Sequence, residues 1–477
     1  MAKKAEKQNM SLKDFTHDLR RGLGSAIIEL KNNTGKEKYL DIVMRSCLKD
    51  IAYDTQVEGT KGYFLYTAIR TFTNPEIFLE NISKKFGERL RWRLSEQLYD
   101  MLCCFAENGY KNADEVFEKK YYELKSRLPL MRDKKINGFC ERELLEKLMV
   151  RKLDNGFELY KQCINDMGEM IIKCGSDDCL WYDLFLTEAE EKFGNEVYDY
   201  IESAKNENVA AFNQSHKMSE ADKNDGLQFK IMTVKDFCKT YRYDPNSSKE
   251  DRVTIEHLVS RAKELSSESV PNLFRIHSLA HKFAKQAKKR ELKALALIAI
   301  EEPSDFIKTA LLYVFKFADF PLDIEVLLSY MASESEDLRD TVIETLSRIK
   351  DNRIHTLATQ LFNDEQVENA ISLLESNFET EDEALIRTYV MRSRQVAHSV
   401  IMSITDIYEE HKSNTCCDIL LHLYKNAECS HCRYEIVETM IDNGVIPKNI
   451  LIECQYDSYE DTRNLAEKHY KIVDWRS

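Results

Sequence analysis

Glycine and proline are scarce in this chain, 14 and 7 among 477 residues. An all-β fold spends both residue types at its turns, so their scarcity, with Leu, Glu, Lys, Ala and Ile abundant, predicts an all-α fold. Apolar runs are short as well. None reaches the roughly 18 residues that a membrane-spanning helix needs, and the first residues, Met1 to Gln8, are polar and basic where a secretory signal would carry its apolar core. A cytoplasmic protein with no membrane partner is therefore expected. The HExxH, GxSxG, GxGxxG and kinase signatures are absent too, which leaves no reaction class, no cofactor and no metal indicated, and favours a non-catalytic role.

The formal net charge is −14, and it is unevenly placed: residues 1–250 hold 41 Lys+Arg against 43 Asp+Glu, residues 251–477 hold 27 against 39. General nucleic-acid binders usually carry a basic balance, so the second half suits a protein partner with basic segments better than a polyanion. The 13 cysteines are odd in number and include adjacent pairs at Cys103-Cys104 and Cys416-Cys417. Scattered through helical patterns, they look like reduced core residues and not a secreted disulfide framework. One CxxC, Cys429 to Cys432, has Cys416, Cys417, His422 and Cys454 as imaginable further zinc ligands. It lacks the second closely spaced pair of a structural zinc module.

Along the chain, residues 1–10 are expected to be a disordered arm and residues 11–204 an N-terminal helical domain. Ser11 and Asp14 have capping spacing, and Leu12, Phe15, Leu19, Leu23, Ile27 and Leu30 form one buried helical stripe ending at Asn32, Asn33 and Gly35. Residues 205–254 are rich in Asn, Ser and charge around one apolar island, Leu227 to Phe237, and are expected to be a polar linker region with one short helix.

From residue 255 to 477 one helical pattern recurs, centred on Leu273, Phe306, Leu338, Val367, Val396, Cys432 and Thr462, at steps of 33, 32, 29, 29, 36 and 30 residues. An apolar residue follows four positions after most of these anchors, as in Leu338/Val342, Val396/Val400, Cys432/Ile436 and Thr462/Ala466, while Leu273 draws instead on Ile276 and Leu279. A period near 30 marks stacked helical hairpins, about six to seven of them here. The stretches Ser335 to Val342 and Tyr459 to Ala466 resemble the HEAT repeats of the armadillo-like α-solenoid superfamily. The resemblance implies that Asp305, Asp337 and Asp461, with Arg339, Arg433 and Arg463, are structural ties between repeats. It also places Cys432 in the core.

Three further features are candidate sites. Lys282, Lys285, Lys289 and Lys293 are spaced to make one cationic stripe if they share a helix, either a solvated face or an anion- or phosphate-binding strip. HEAT-like solenoids include a branch similar to alkylpurine DNA glycosylases, so a nucleic-acid reading stands as the alternative. Against it are the acidic balance and the wide scatter of Trp92, Trp181 and Trp475. The loop from Asp54 to Tyr63, with Gln56, Glu58 and Lys61, precedes a helix start and is either a capped turn or an anion site, the one place in this half where an unrecognised enzyme would be sought. The acidic stretch Glu375, Glu379, Glu381, Asp382 and Glu383 is either solvated surface or a lure for a basic segment.

Overall fold

A computed structural model describes residues 10–130, 139–175, 180–203, 205–224, 252–268, 272–363 and 366–474. The arm before residue 10, the apolar island 227–237 and Trp475 lie outside the described residues. Every regular element among those described is a helix. None is long and apolar enough to cross a membrane. The chain divides into two compact units, one of Met1–Phe237 with Leu451–Ser477 and the other of Cys238–Ile450. The array expected over 255–477 extends past that second division, because its last hairpin packs within the first unit.

The first unit begins with α1 (Leu12–Arg21), where the Ser11 hydroxyl accepts the Asp14 N–H at 3.1 Å. The expected single stripe breaks at Gly22, which takes φ 79 and closes α1, and α2 (Gly24–Asn32) resumes two residues later. Contacts explain the break. A Cβ on Gly22 would lie 2.1 Å from Ser458 Oγ, and one on Gly24 would lie 1.9 Å from the Glu453 carbonyl oxygen. Only glycine allows the backbone of residues 453–458 to lie so close, and the Ser458 N–H donates to Gly22 O at 2.8 Å. Lys31 Nζ sits 4.0 Å from the Tyr456 ring, a cation–π contact that adds to the same seam.

Deeper in this unit, α3 (Gly62–Ile69) lies on α4 (Trp92–Glu107), where the buried Gln97 amide donates to Ser46, Cys47 and Lys49 carbonyls at 3.2, 3.2 and 2.7 Å. Farther along, α5 (Phe157–Cys174) packs on α6 (Glu207–Asn224). Residues 207–224 were expected within a polar linker, but Val209 and Phe212 are fully buried. Gly168 lets the two backbones meet, since a Cβ there would stand 1.8 Å from Asn208 O. Two apolar residues and a helical glycine across from them outweigh a polar composition.

In the second unit the longer helices are α7 (Ile255–Ser266), α8 (His277–Gln286), α9 (Lys289–Glu301), α10 (Asp305–Leu312), α11 (Glu336–Leu346), α12 (Asn352–Asn363), α13 (Val367–Leu374), α14 (Glu383–Arg392), α15 (His398–Glu410), α16 (Cys417–Asn426) and α17 (Ser430–Asp442), joined by short turns, 3-10 segments and the five-residue helix Glu325–Ser329. Two sets of contacts organise them. Helices α10, α11, α13, α15 and α17 pack each on the next, while α9, α12 and α16 lie against α10, α13 and α17. The anchor pairs Leu338/Val342 and Cys432/Ile436 are all but fully buried between these helices. Val396 departs from the pattern: it precedes α15, because Ala397 is extended at ψ 149 and the helix starts only at His398. Serine caps recur here, with Ser304 and Ser335 each accepting the N–H three residues on at 3.4 Å.

Candidate functional site

The lysines expected to form one stripe belong to two helices. Lys282 and Lys285 are on α8, Lys289 and Lys293 on α9, and the chain between them turns extended at Ala287 and Lys288. The turn is fixed by Glu291, whose carboxylate accepts the Lys288 N–H at 2.8 Å and pairs with Arg252 at the same distance. All four lysines are exposed. A stripe spaced for one continuous helix is thus cut by a helix start, which a capping Glu three residues after an extended residue announces.

The Asp54 to Tyr63 segment forms a hydrogen-bonded knot around two buried side chains, Glu58 and Lys61, while Val57 and Tyr63 are exposed. A short helix, Thr55–Glu58, lies inside it, and the Glu58 carboxylate accepts the backbone N–H groups of Tyr53 and Asp54, the second at 3.2 Å. Lys61, 2 % exposed, donates to the Arg20 and Ile51 carbonyls at 3.1 and 3.3 Å and lies 3.7 Å from Glu58. Thr60 donates to Asp100, whose carboxyl is held above its ordinary range by burial. The side chain of Gln56 lies outside the described residues. Glu58 and Lys61 are spent on one another and on backbone, so these groups hold loops together and offer nothing to a ligand.

The Asp and Arg residues implied by the HEAT resemblance take two distinct places. Asp305, Asp337 and Asp461 each sit in the first turn of a helix, where a carboxylate is favoured by the helix dipole. Arg339 donates to the Ser333 carbonyl at 2.5 Å, and Arg463 to the Asp457 carbonyl at 2.8 Å, so each reaches six residues back across the loop entering its own helix. Arg433, at the equivalent position after Cys432, is fully buried.

Acidic groups meet on a surface the sequence stretch 375–383 does not describe. Within that stretch Asp382 is buried, paired with His355 at 3.0 Å and accepting the Glu379 N–H at 2.8 Å, and Glu383 bonds Arg387, Ser413 and Thr415. The broader acidic feature runs across the stacked helices. Glu344, Asp406 and Glu438 are each the ninth residue of α11, α15 and α17, and Glu375 holds the ninth position counted from the start of α13, just past its end. Their spacing in the chain is 31, 31 and 32 residues, the pitch of the repeat itself.

Crowding shows in their electrostatics. Burial, then the charges of Asp406 and Glu344, raise the Glu375 carboxyl above its ordinary range, although Ser403 donates to it at 2.7 Å. Asp406 is raised by burial, and Glu409 by burial and by Asp406, Glu438 and Asp442. Glu435, one turn before Glu438, is pushed up to about 7 by burial and by Glu438, Glu409 and Asp406. Lys316, 2.6 Å from Glu344, sits at the α11 end of the column. Mutual repulsion of this kind marks a place where added positive charge is favourable. A periodic acid every 31 residues was visible in the sequence but is spread too widely to register as a cluster.

The CxxC also acquires a neighbour. Cys429 is the N-cap residue of α17 and Cys432 lies in its first turn, while His398 opens α15 and brings Nδ1 to 2.7 Å from Cys432 Sγ. Among the described residues these three donor atoms all fall within 4.8 Å of one another. Cys416, Cys417 and His422, considered as further ligands, turn elsewhere: the two thiols point to the Ser413 and Val445 carbonyls at 3.1 and 3.3 Å, and His422 to Ser393 O at 3.0 Å.

Comparison of the chain with protein-family models, curated proteins and solved structures finds no match.

Proposed function

We propose that the second unit is a HEAT-like α-solenoid and that the protein is a non-catalytic interaction scaffold of the cytoplasm, whose stacked helices receive a basic segment of a protein partner. The observation that carries this reading is the column Glu344, Glu375, Asp406 and Glu438, one acid per stacked helix at the repeat pitch. The raised carboxyl groups Glu375 and Asp406 within it, and Glu435 beside it, gain from a neighbouring cation what they lose to other acids. Reduced cysteines suit that compartment. A nucleic acid is the disfavoured partner, because phosphate would meet this column with like charge and the lysines of α8 and α9 do not form a single strip.

The test is fluorescence anisotropy with a labelled Lys/Arg-rich peptide and an acidic control peptide, read at two salt concentrations. Wild type should bind the basic peptide with an affinity that falls as salt rises. Glu375→Gln/Asp406→Asn/Glu438→Gln should weaken it roughly tenfold, the sum of about 0.5 kcal/mol for each surface ion pair with the peptide. Equal binding by the triple variant, or no binding of the basic peptide at low salt, would overturn the reading.

A further inference from the structure

We propose that Cys429, Cys432 and His398 form a Zn²⁺ site with two thiolate ligands and one imidazole, leaving a fourth coordination position for water. Two different helices supply the ligands. The CxxC spans the N-cap and first turn of α17, and the first residue of α15 brings its imidazole within 4.8 Å of both sulfurs. Cys429 is 5 % exposed and Cys432 fully buried, whereas His398 is exposed, so the sulfurs are shielded and the open side of the site faces solvent.

Donor separations fit a soft tetrahedral ion with a small adjustment. Zinc–sulfur bonds of about 2.3 Å and zinc–nitrogen bonds of about 2.0 Å place ligand atoms roughly 3.5–3.8 Å apart. The three donors lie within 4.8 Å of one another, and the 2.7 Å approach of His398 Nδ1 to Cys432 Sγ has to open by somewhat less than 1 Å. His398, on the solvent side, is the ligand able to give way. Hard cations take oxygen ligands, so this set of donors selects zinc over calcium or magnesium.

The two cysteines are held as thiols. Binding therefore has a defined proton balance: two thiol protons leave to solvent as two sulfur–zinc bonds form, and His398 binds through its neutral nitrogen. Affinity must then rise with pH. No electron is transferred, and no oxidant is needed.

The experiment uses the full chain, reduced and stripped of metal, titrated with zinc sulfate against a chromogenic chelator and in parallel with cobalt chloride. One equivalent of zinc should bind, and the cobalt form should show a sulfur-to-cobalt charge-transfer band with tetrahedral visible bands. Cys429→Ser removes one of the two sulfur ligands and should weaken that band and the zinc affinity, and His398→Ala should lower zinc affinity at least about tenfold, the scale that loss of even an outer-shell partner reaches. His398 is exposed, so its variant tests the site without disturbing the core, with helical circular dichroism as the check. Cys417→Ser, a cysteine outside the cluster, should leave zinc binding unchanged. The proposal is overturned by zinc affinity equal in wild type, Cys429→Ser and His398→Ala, by a cobalt spectrum without sulfur character, or by a Cys429–Cys432 disulfide whose reduction restores no metal binding.

Discussion

A lysine 2 % exposed is tolerated inside a protein only with acceptors and a counter-charge close by, and Lys61 has two carbonyls to donate to and the Glu58 carboxylate 3.7 Å away. Within the Asp54 to Tyr63 loop read as a capped turn or an anion site, Glu58 and Lys61 thus act as a rivet between the Arg20, Ile51 and Tyr53 segments. Lys61→Met removes the cation and leaves Glu58 buried, at an expected cost of about 3–5 kcal/mol of unfolding free energy in urea denaturation. Glu58→Gln retains an acceptor oxygen for the Asp54 N–H and should cost less. A loss below about 1 kcal/mol for Lys61→Met would show that the pair is not holding these loops. Sequence alone leaves Glu58 and Lys61 open between a capped turn and an anion site; burial decides between a binding group and a rivet, and burial depends on residues about 40 positions away.

At the scale of helices, the acid column makes a statement about pH. The Glu435 carboxyl rises from 4.5 to about 7, so it holds its proton more tightly in the folded chain than in the unfolded one. Stability from this group is therefore full below 4.5 and is lost as pH climbs through about 7. The groups facing it are Asp406, Glu409 and Glu438, with His431 Nε2 3.7 Å away as a cation only when protonated. Glu435→Gln should flatten this dependence and, at pH 8, raise the melting temperature by about 2–4 °C, taken as ~1 kcal/mol after allowing for solvent screening. An unchanged pH profile in thermal melts would contradict it. The helical class was legible from glycine and proline counts, and several anchors from their four-residue spacing, as Leu338/Val342 and Cys432/Ile436 show. What escaped were the interruptions. Gly22 ends a helix within an unbroken apolar stripe, Ala397 delays α15 past Val396, and an extended Ala287–Lys288 splits the lysines; each break is set by a capping contact or a close backbone approach that periodicity does not encode. His398 was missed beside the CxxC for a related reason, since 31 residues separate it from Cys429 and only the packing of α15 on α17 joins them.

For the whole molecule, the two glycines of the α1–α2 turn fasten residues 453–458 to the start of the chain. Gly24→Ala places a methyl 1.9 Å from the Glu453 carbonyl oxygen, far inside contact distance and against backbone that cannot rotate away. The expected cost is about 1–3 kcal/mol, seen as a lowered urea midpoint for the first unit, while a neutral result would mean that the seam is not formed in solution. Such a seam also orders events in time. Because the first unit draws on Leu451–Ser477, and the whole of Cys238–Ile450 lies between its two pieces in the chain, a ribosome delivers the second unit complete before the first can close. The α1–α2 turn is thus made before the second unit, and the residues 453–458 that cover it only after.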